Sequence, residues 1–237
     1  MDEMDQLFVA IAEKCKTAGF LESVISKAHY ASEDRELLFD VLEKILKCME
    51  AGAAWSGKDV AALVKEAGGG GEAAQAKAGS AWTQEVVITL GDSVDKLQEE
   101  YLAACQLTEA YMVEVLASEI LLLSYAEYNQ WIKSNTDKVV SRYHFLGADA
   151  AHPLEGLPSF LERSGLPVTC TEGYCMLPKK TVAFYAELTG DRATTCEGIC
   201  MGCGRTDCPN HMDAAQTKGN RTLDRPLTYG YARIFGL

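Results

Sequence analysis

The chain has 237 residues, with 34 acidic and 22 basic side chains, a formal net charge of −12 and 48% hydrophobic content. That length suffices for a buried core in one large domain or two small ones. The acidic balance excludes the basic footprint that nucleic acid or an anionic membrane surface needs. The opening MDEMDQLF fits neither a secretory nor a mitochondrial address. No apolar run approaches the roughly 20 residues of a bilayer span, so a cytoplasmic protein is expected.

Leu7, Phe8, Ile11 and Ala12 recur at helical spacing, and Gly19 is placed to end that first helix. A second helix is expected from Ser32, an N-cap followed by Glu33 and Asp34 at the positive end of the helix dipole. Its apolar stripe is Leu38, Val41, Leu42, Ile45, Leu46 and Met49, with Gly52 as the stop. A third, short helix is predicted from Ser56 or Gly57 through Val60, Leu63 and Val64. Together these make residues 1–67 a helical N-terminal region. Gly68 to Gly71 and the Ala-rich run after them read as a linker or long loop over residues 68–82, leaving 83–237 as the second unit.

Glu85 to Leu90 is β-branched and apolar, the pattern of a buried strand, and Gly91-Asp92-Ser93 turns it into a helix. The longest helical stretch runs from Leu107 to about Lys133, with Tyr111, Val115, Leu122 and Ala126 expected among its buried positions. Glu114, Glu119 and Glu127 lie on it. A solvated face is the plain reading of these acids; the sharper one has Glu119, amid apolar neighbours, facing a ligand or an arginine. The stretch SRYHFLGADAAHPLEGLPSFLERSG reads as a loop and then a short helix at Leu157–Arg163. Val168–Cys170 suits a strand, while Thr181–Leu188 leaves helix and strand open. The aromatics of the tail from Thr217 to Leu237 suggest a docked arm. The expected fold is α+β: an antiparallel sheet with flanking helices, preceded by the helical N-terminal region.

Six of the nine cysteines fall between Cys170 and Cys208, and Cys196, Cys200, Cys203 and Cys208 crowd the run TCEGICMGCGRTDCPNH. Thiolates two to four residues apart can converge on one soft metal centre, and Gly204 lets the backbone turn its amides toward sulfur. The spacing is neither a regular ferredoxin run nor a paired zinc ribbon. An iron–sulfur cluster, zinc and metal-less thiols all stay open. Cys200, Cys203 and Cys208 are expected at one centre, with Cys196 or Cys175 as the fourth ligand. A disulfide framework is disfavoured in a chain of this size and setting. Cys15, Cys48 and Cys105 read as buried, inert thiols of amphipathic helices.

Three segments follow in a telling order: VVITLGDSVDKL leading into the long helix, the Arg-led SRYHFLGADAAHPL, and TCTEGYCMLPKKTVAFY with Thr171-Glu172, Met176, Pro178 and Val182. Together they resemble the activation domain of cobalamin-dependent methionine synthase, above all its free-standing relatives. In those relatives a Cys-x-x-Cys-x4-Cys-Pro block like Cys200, Cys203, Cys208 and Pro209 stands in the same place. The resemblance spans roughly residues 85–212. It implies a single α+β unit with a curved antiparallel sheet that binds S-adenosylmethionine in a shallow groove.

The implied activity is repair. Inert cob(II)alamin on a corrinoid protein or corrinoid methyltransferase receives an electron from a flavodoxin or ferredoxin donor, and the resulting cob(I)alamin takes a methyl group from S-adenosylmethionine. The cofactor-binding residues implied are Arg142, Tyr143, Glu172 and Tyr185, with Glu119, and with Phe184-Tyr185 paired in one cleft beside the 143–147 loop. The family has a Pro-Gly-Tyr-like turn after the leading Arg; here Tyr143-His144-Phe145-Leu146-Gly147 stands instead. Arg142 has a plainer alternative as the ion-pair partner of a helix acid such as Glu119, Glu172 as a turn carboxylate, and His144 and His152 as ordinary loop histidines. An iron–sulfur cluster in the cysteine block would let the protein relay the electron itself, whereas zinc would only staple the fold.

Overall fold

The computed structural model of the chain describes residues 3–49, 52–58, 82–148 and 150–199. Among these the architecture is α+β, with an antiparallel four-stranded sheet, a two-stranded hairpin and six α-helices. The N-terminal helices are α1 (Glu3–Cys15), α2 (Ala18–Ala28) and α3 (Arg35–Cys48). Leu7, Ile11 and Cys15 repeat every four residues on the buried side of α1. Gly19 does not end this helix; it lies inside α2. The break falls at Thr17, whose Oγ1 accepts the Phe20 backbone N–H and caps α2. Ser32 opens a 3₁₀ turn that feeds α3, and Asp34 Oδ2 accepts from the Ala31 N–H. Leu38, Val41, Leu42 and Ile45 form the buried stripe of α3 as expected, with Leu46 and Met49 half-buried.

Residues Gly52–Lys58 form strand β1, which corrects the helix expected from Ser56. β1 pairs antiparallel with β2 (Trp82–Thr89), whose hydrogen-bonding edge supplies the order that GAAWSGK lacks by itself. Trp82, the last residue of the expected linker, is thus already in the sheet. Residues 59–81, including Val60, Leu63, Val64 and the glycine run, lie outside the described residues. Beyond β2, Gly91 turns the chain at φ +87°, open to glycine without strain, into α4 (Asp92–Ala103).

α5 (Leu107–Asn135) is the spine, about 40 Å long at 1.5 Å per residue. Val115 is buried and Tyr111 and Leu122 are half-buried, but Ala126 is exposed. Buried positions run round much of the helix, because α1, α2, α3 and α4 pack around it while the sheet lies beneath it. The acids on it are not a solvated face either. Glu119 Oε2 accepts from Lys27 Nζ at 2.7 Å with both side chains 7% exposed, Glu127 pairs with Lys14, and Glu114 pairs with Lys180. Each acid anchors a different element to the spine.

After α5 come β3 (Val139–Phe145), α6 (Leu157–Ser164), the hairpin β4 (Thr169–Cys170) and β5 (Met176–Leu177), and β6 (Thr181–Thr189). The first part of the Arg-led segment is therefore strand, not loop. The sheet order is β1-β2-β6-β3, all antiparallel. Strand alternation separates two faces. Val86, Ile88, Val140, Tyr143, Phe184, Ala186 and Leu188 pack toward the helices in one core that reaches back to Leu7. Val87, Ala183 and the half-buried Tyr185 face outward, under Leu157, Phe160 and Leu161 of α6. No helix among the described residues is long and apolar enough to cross a membrane.

Candidate functional site

The outer face of β3 and β6 collects the polar chemistry. Register sets it in rows: Arg142 lies opposite Glu187, and His144 opposite Tyr185, which in turn lies opposite Glu85 of β2. His144 Nε2 is 3.0 Å from Glu187 Oε2, and its ring stacks on His152 at 5.0 Å between centroids. His152 also meets the Tyr185 ring at 4.8 Å, and Phe160 meets that ring edge-on at 4.9 Å. Arg163 of α6 closes the row with a forked pair to Glu85 at 3.0 and 2.8 Å. Burial, with Glu85 beside it, raises the Tyr185 hydroxyl above its ordinary pKa, while Arg163 works in the opposite sense.

β3 is an edge strand among the described residues, and its ladder is interrupted by a bulge at Ser141, between the Val140–Leu188 and Arg142–Glu187 pairs. The Ser141 hydroxyl donates to the Glu187 carbonyl at 3.0 Å, while the Ser141 carbonyl accepts the Glu197 backbone N–H at 2.9 Å. Residues 196–198 thus lie along the bulged edge and alternate in direction like a strand. Glu197 points to the outer face, where Arg142 grips both its oxygens, Nε to Oε2 at 2.7 Å and Nη2 to Oε1 at 2.8 Å. That fork raises the Arg142 guanidinium further above its ordinary pKa.

Cys196 points the other way, against the helix-side core and the hydroxyl of Tyr143. Burial raises the Cys196 thiol, opposed by hydrogen bonds from the Gly198 backbone and Tyr143. Gly198 sits at φ +82°, a backbone region that glycine adopts without strain.

The residues expected to form a groove divide between the faces. Arg142 and Tyr185 share the outer face. Tyr143, 3% exposed, packs among Tyr125 and Phe184 on the helix side. Phe184 and Tyr185 are neighbours on one strand and point in opposite directions, so they do not line one cleft. Glu119 is held by Lys27 on the helix side and does not meet Arg142, whose partner is Glu197. Glu172 is exposed in the turn between β4 and β5, two residues before Tyr174 at φ +61°.

Of the cysteines, Cys175 is exposed at the same turn, its N–H donating to Thr171 Oγ1 at 3.1 Å. Cys170 is half-buried in the outer cluster, and Cys105 is exposed rather than buried, after the α4 terminus at φ +57°. Among the described residues no three His, Cys, Asp or Glu side chains are grouped to hold a metal. Cys200, Cys203 and Cys208 lie outside the described residues.

Sequence reasoning passed over Glu187, Glu85, Arg163 and Glu197, and it read His144 and His152 as ordinary loop histidines, whereas His144 lies in strand β3. For Glu187 a signal existed, since Tyr185 and Glu187 alternate with Phe184 and Ala186 at strand spacing. Set against known proteins, the sequence matches no family model and no curated protein at a significant level.

Proposed function

We propose that this protein is a cytoplasmic accessory factor of a corrinoid-dependent methyltransferase system that returns oxidised cob(II)alamin to use, by reduction, by S-adenosylmethionine-dependent methylation, or by both. One electron from a flavodoxin or ferredoxin donor converts cob(II)alamin to cob(I)alamin. The cobalt-centred electron pair then forms the bond to the methyl group as S-adenosylhomocysteine leaves. The observation that carries this reading is the path of residues 196–198. The chain leading into the cysteine run lies along the bulged edge of the strand that bears Arg142, at the point where the family-like segment begins.

This reading takes Cys196, half-buried against the helix-side core, as one thiolate ligand. Cys200, Cys203 and Cys208 are the other ligands this reading requires, with Cys175 as the alternative to Cys196. An iron–sulfur cluster held there would supply a low-potential electron. The chain's own residues orient: Arg142 presents a fork suited to a carboxylate, and the aromatic row at Tyr185 offers a flat apolar shelf beside it.

The half-buried Cys196, packed on the helix-side core, also favours a second reading. Zinc in the block would staple the C-terminal region of a module that docks on a corrinoid protein without catalysis. Iron, sulfide and zinc assays on anaerobically purified full chain separate the two. Iron with matching acid-labile sulfide supports electron relay; zinc alone sinks it and leaves docking. Calorimetry with S-adenosylmethionine tests the groove, with heat expected from the native chain and lost in Arg142→Ala.

A further inference from the structure

We infer that Glu197 is an internal occupant of the Arg142 fork, so that a ligand carboxylate and the segment leading into the cysteine run compete for one guanidinium. This deepens the function proposed above and rests on it for the identity of the ligand. The geometry is that of carboxylate recognition: both Glu197 oxygens are gripped side-on, at 2.7 and 2.8 Å. A guanidinium fork reads a planar carboxylate regardless of the molecule that carries it.

Magnitude makes the contact exchangeable. The two side chains are 45% and 42% exposed. An ion pair that open to water contributes about 0–1 kcal/mol, so an incoming carboxylate meets a weak incumbent. Glu187 lies directly across from Arg142 and is engaged by His144, so a carboxylate remains to steady the guanidinium on the outer face while its partner is exchanged.

Release has a defined consequence. Glu197 is joined to the sheet edge by its own N–H on the Ser141 carbonyl, and its neighbour Cys196 packs on the helix-side core. The fork, the backbone bond and the thiol contact lie within two consecutive residues and hold one short stretch. Loss of the fork weakens that stretch as a unit. Occupation of Arg142 by a ligand therefore loosens residues 196–198 from the sheet edge.

The Glu197 N–H, bonded to the Ser141 carbonyl, is the reporter. The full chain is transferred to deuterated water, and the exchange rate of that amide is read by peptide mass spectrometry. Glu197→Gln should raise that rate by about fivefold. Replacing chloride with acetate at constant ionic strength should raise it in the native chain, but not further in Glu197→Gln or in Arg142→Lys, which keeps the charge and loses the fork. S-adenosylmethionine should act as acetate does at far lower concentration.

If neither Glu197→Gln nor acetate changes the rate, the inference is overturned. A faster Glu197→Gln with no acetate response overturns it as well, because Glu197 is then a fixed pin. An acetate response without one to S-adenosylmethionine upholds the competition and removes S-adenosylmethionine from the proposed function.

Discussion

Replacing Lys27 by Met is the sharpest test of how the helices are tied to the spine. The Lys27–Glu119 bond is 2.7 Å long and both side chains are 7% exposed. Methionine keeps most of the lysine stem's volume and apolar contact but removes the ammonium. The Glu119 carboxylate is then left desolvated and without its cation, amid Val115, Leu116, Ile120 and Leu123 of the same helix. Removing one member of a buried pair costs about 3–5 kcal/mol. In a chain of this size each kcal/mol moves the midpoint by about 2–4 °C, so Tm should fall by about 6–20 °C.

The double variant Lys27→Met/Glu119→Leu removes both charges and should recover the native stability or exceed it, since an apolar pair incurs no desolvation penalty. Urea denaturation followed by far-UV circular dichroism gives both numbers. A Lys27→Met chain within about 1 kcal/mol of native, or a double variant as unstable as the single, would refute the reasoning.

Three further outcomes are expected. Burial, reinforced by Glu127, pushes the Cys15 thiol from 9.0 up to about 12. The folded chain then keeps that proton longer than the unfolded one, so this contribution is complete below pH 9.0 and is lost as pH rises toward about 12. Denaturation midpoints should fall between pH 9.0 and about 12, and fall less steeply in Cys15→Ala. Tyr128→Phe removes the hydroxyl that donates to Gln84 Oε1 at 2.5 Å, and should cost about 1–3 kcal/mol in the same assay because Gln84 is buried. Phe184→Ala should cost about 3–5 kcal/mol as a core truncation, and Tyr185→Ala about 1–2 kcal/mol through its ring contacts. Equal costs would contradict their assignment to opposite faces.

What the sequence made legible was local. The apolar, β-branched run of β2, the stripe of α3 and the turn at Gly91 each follow from side chains within a few residues; the last two stand where expected, and β2 begins at Trp82 rather than Glu85. β1 was invisible because Gly52, Ala53 and Ala54 carry no strand preference; pairing with Val87 to Thr89 decides their conformation. Ala126 was misjudged because four helices and the sheet pack around α5, so spacing along the helix does not single out one buried face. Arg142 was recognised as a carboxylate reader, but its partner lies 55 residues away, across a bulge that no spacing rule signals. The outer row of His144, Tyr185 and Glu85 depends on the register of three strands, information that exists only once the sheet is paired.

Turnover of a damaged corrinoid tests the central claim most directly. Anaerobic full chain, a cob(II)alamin-loaded corrinoid protein, a low-potential donor and S-adenosylmethionine are mixed, and methylcobalamin is followed by its visible spectrum. The account predicts a rate that rises with the concentration of the chain and collapses in Cys203→Ser. A rate identical with and without the chain would contradict it.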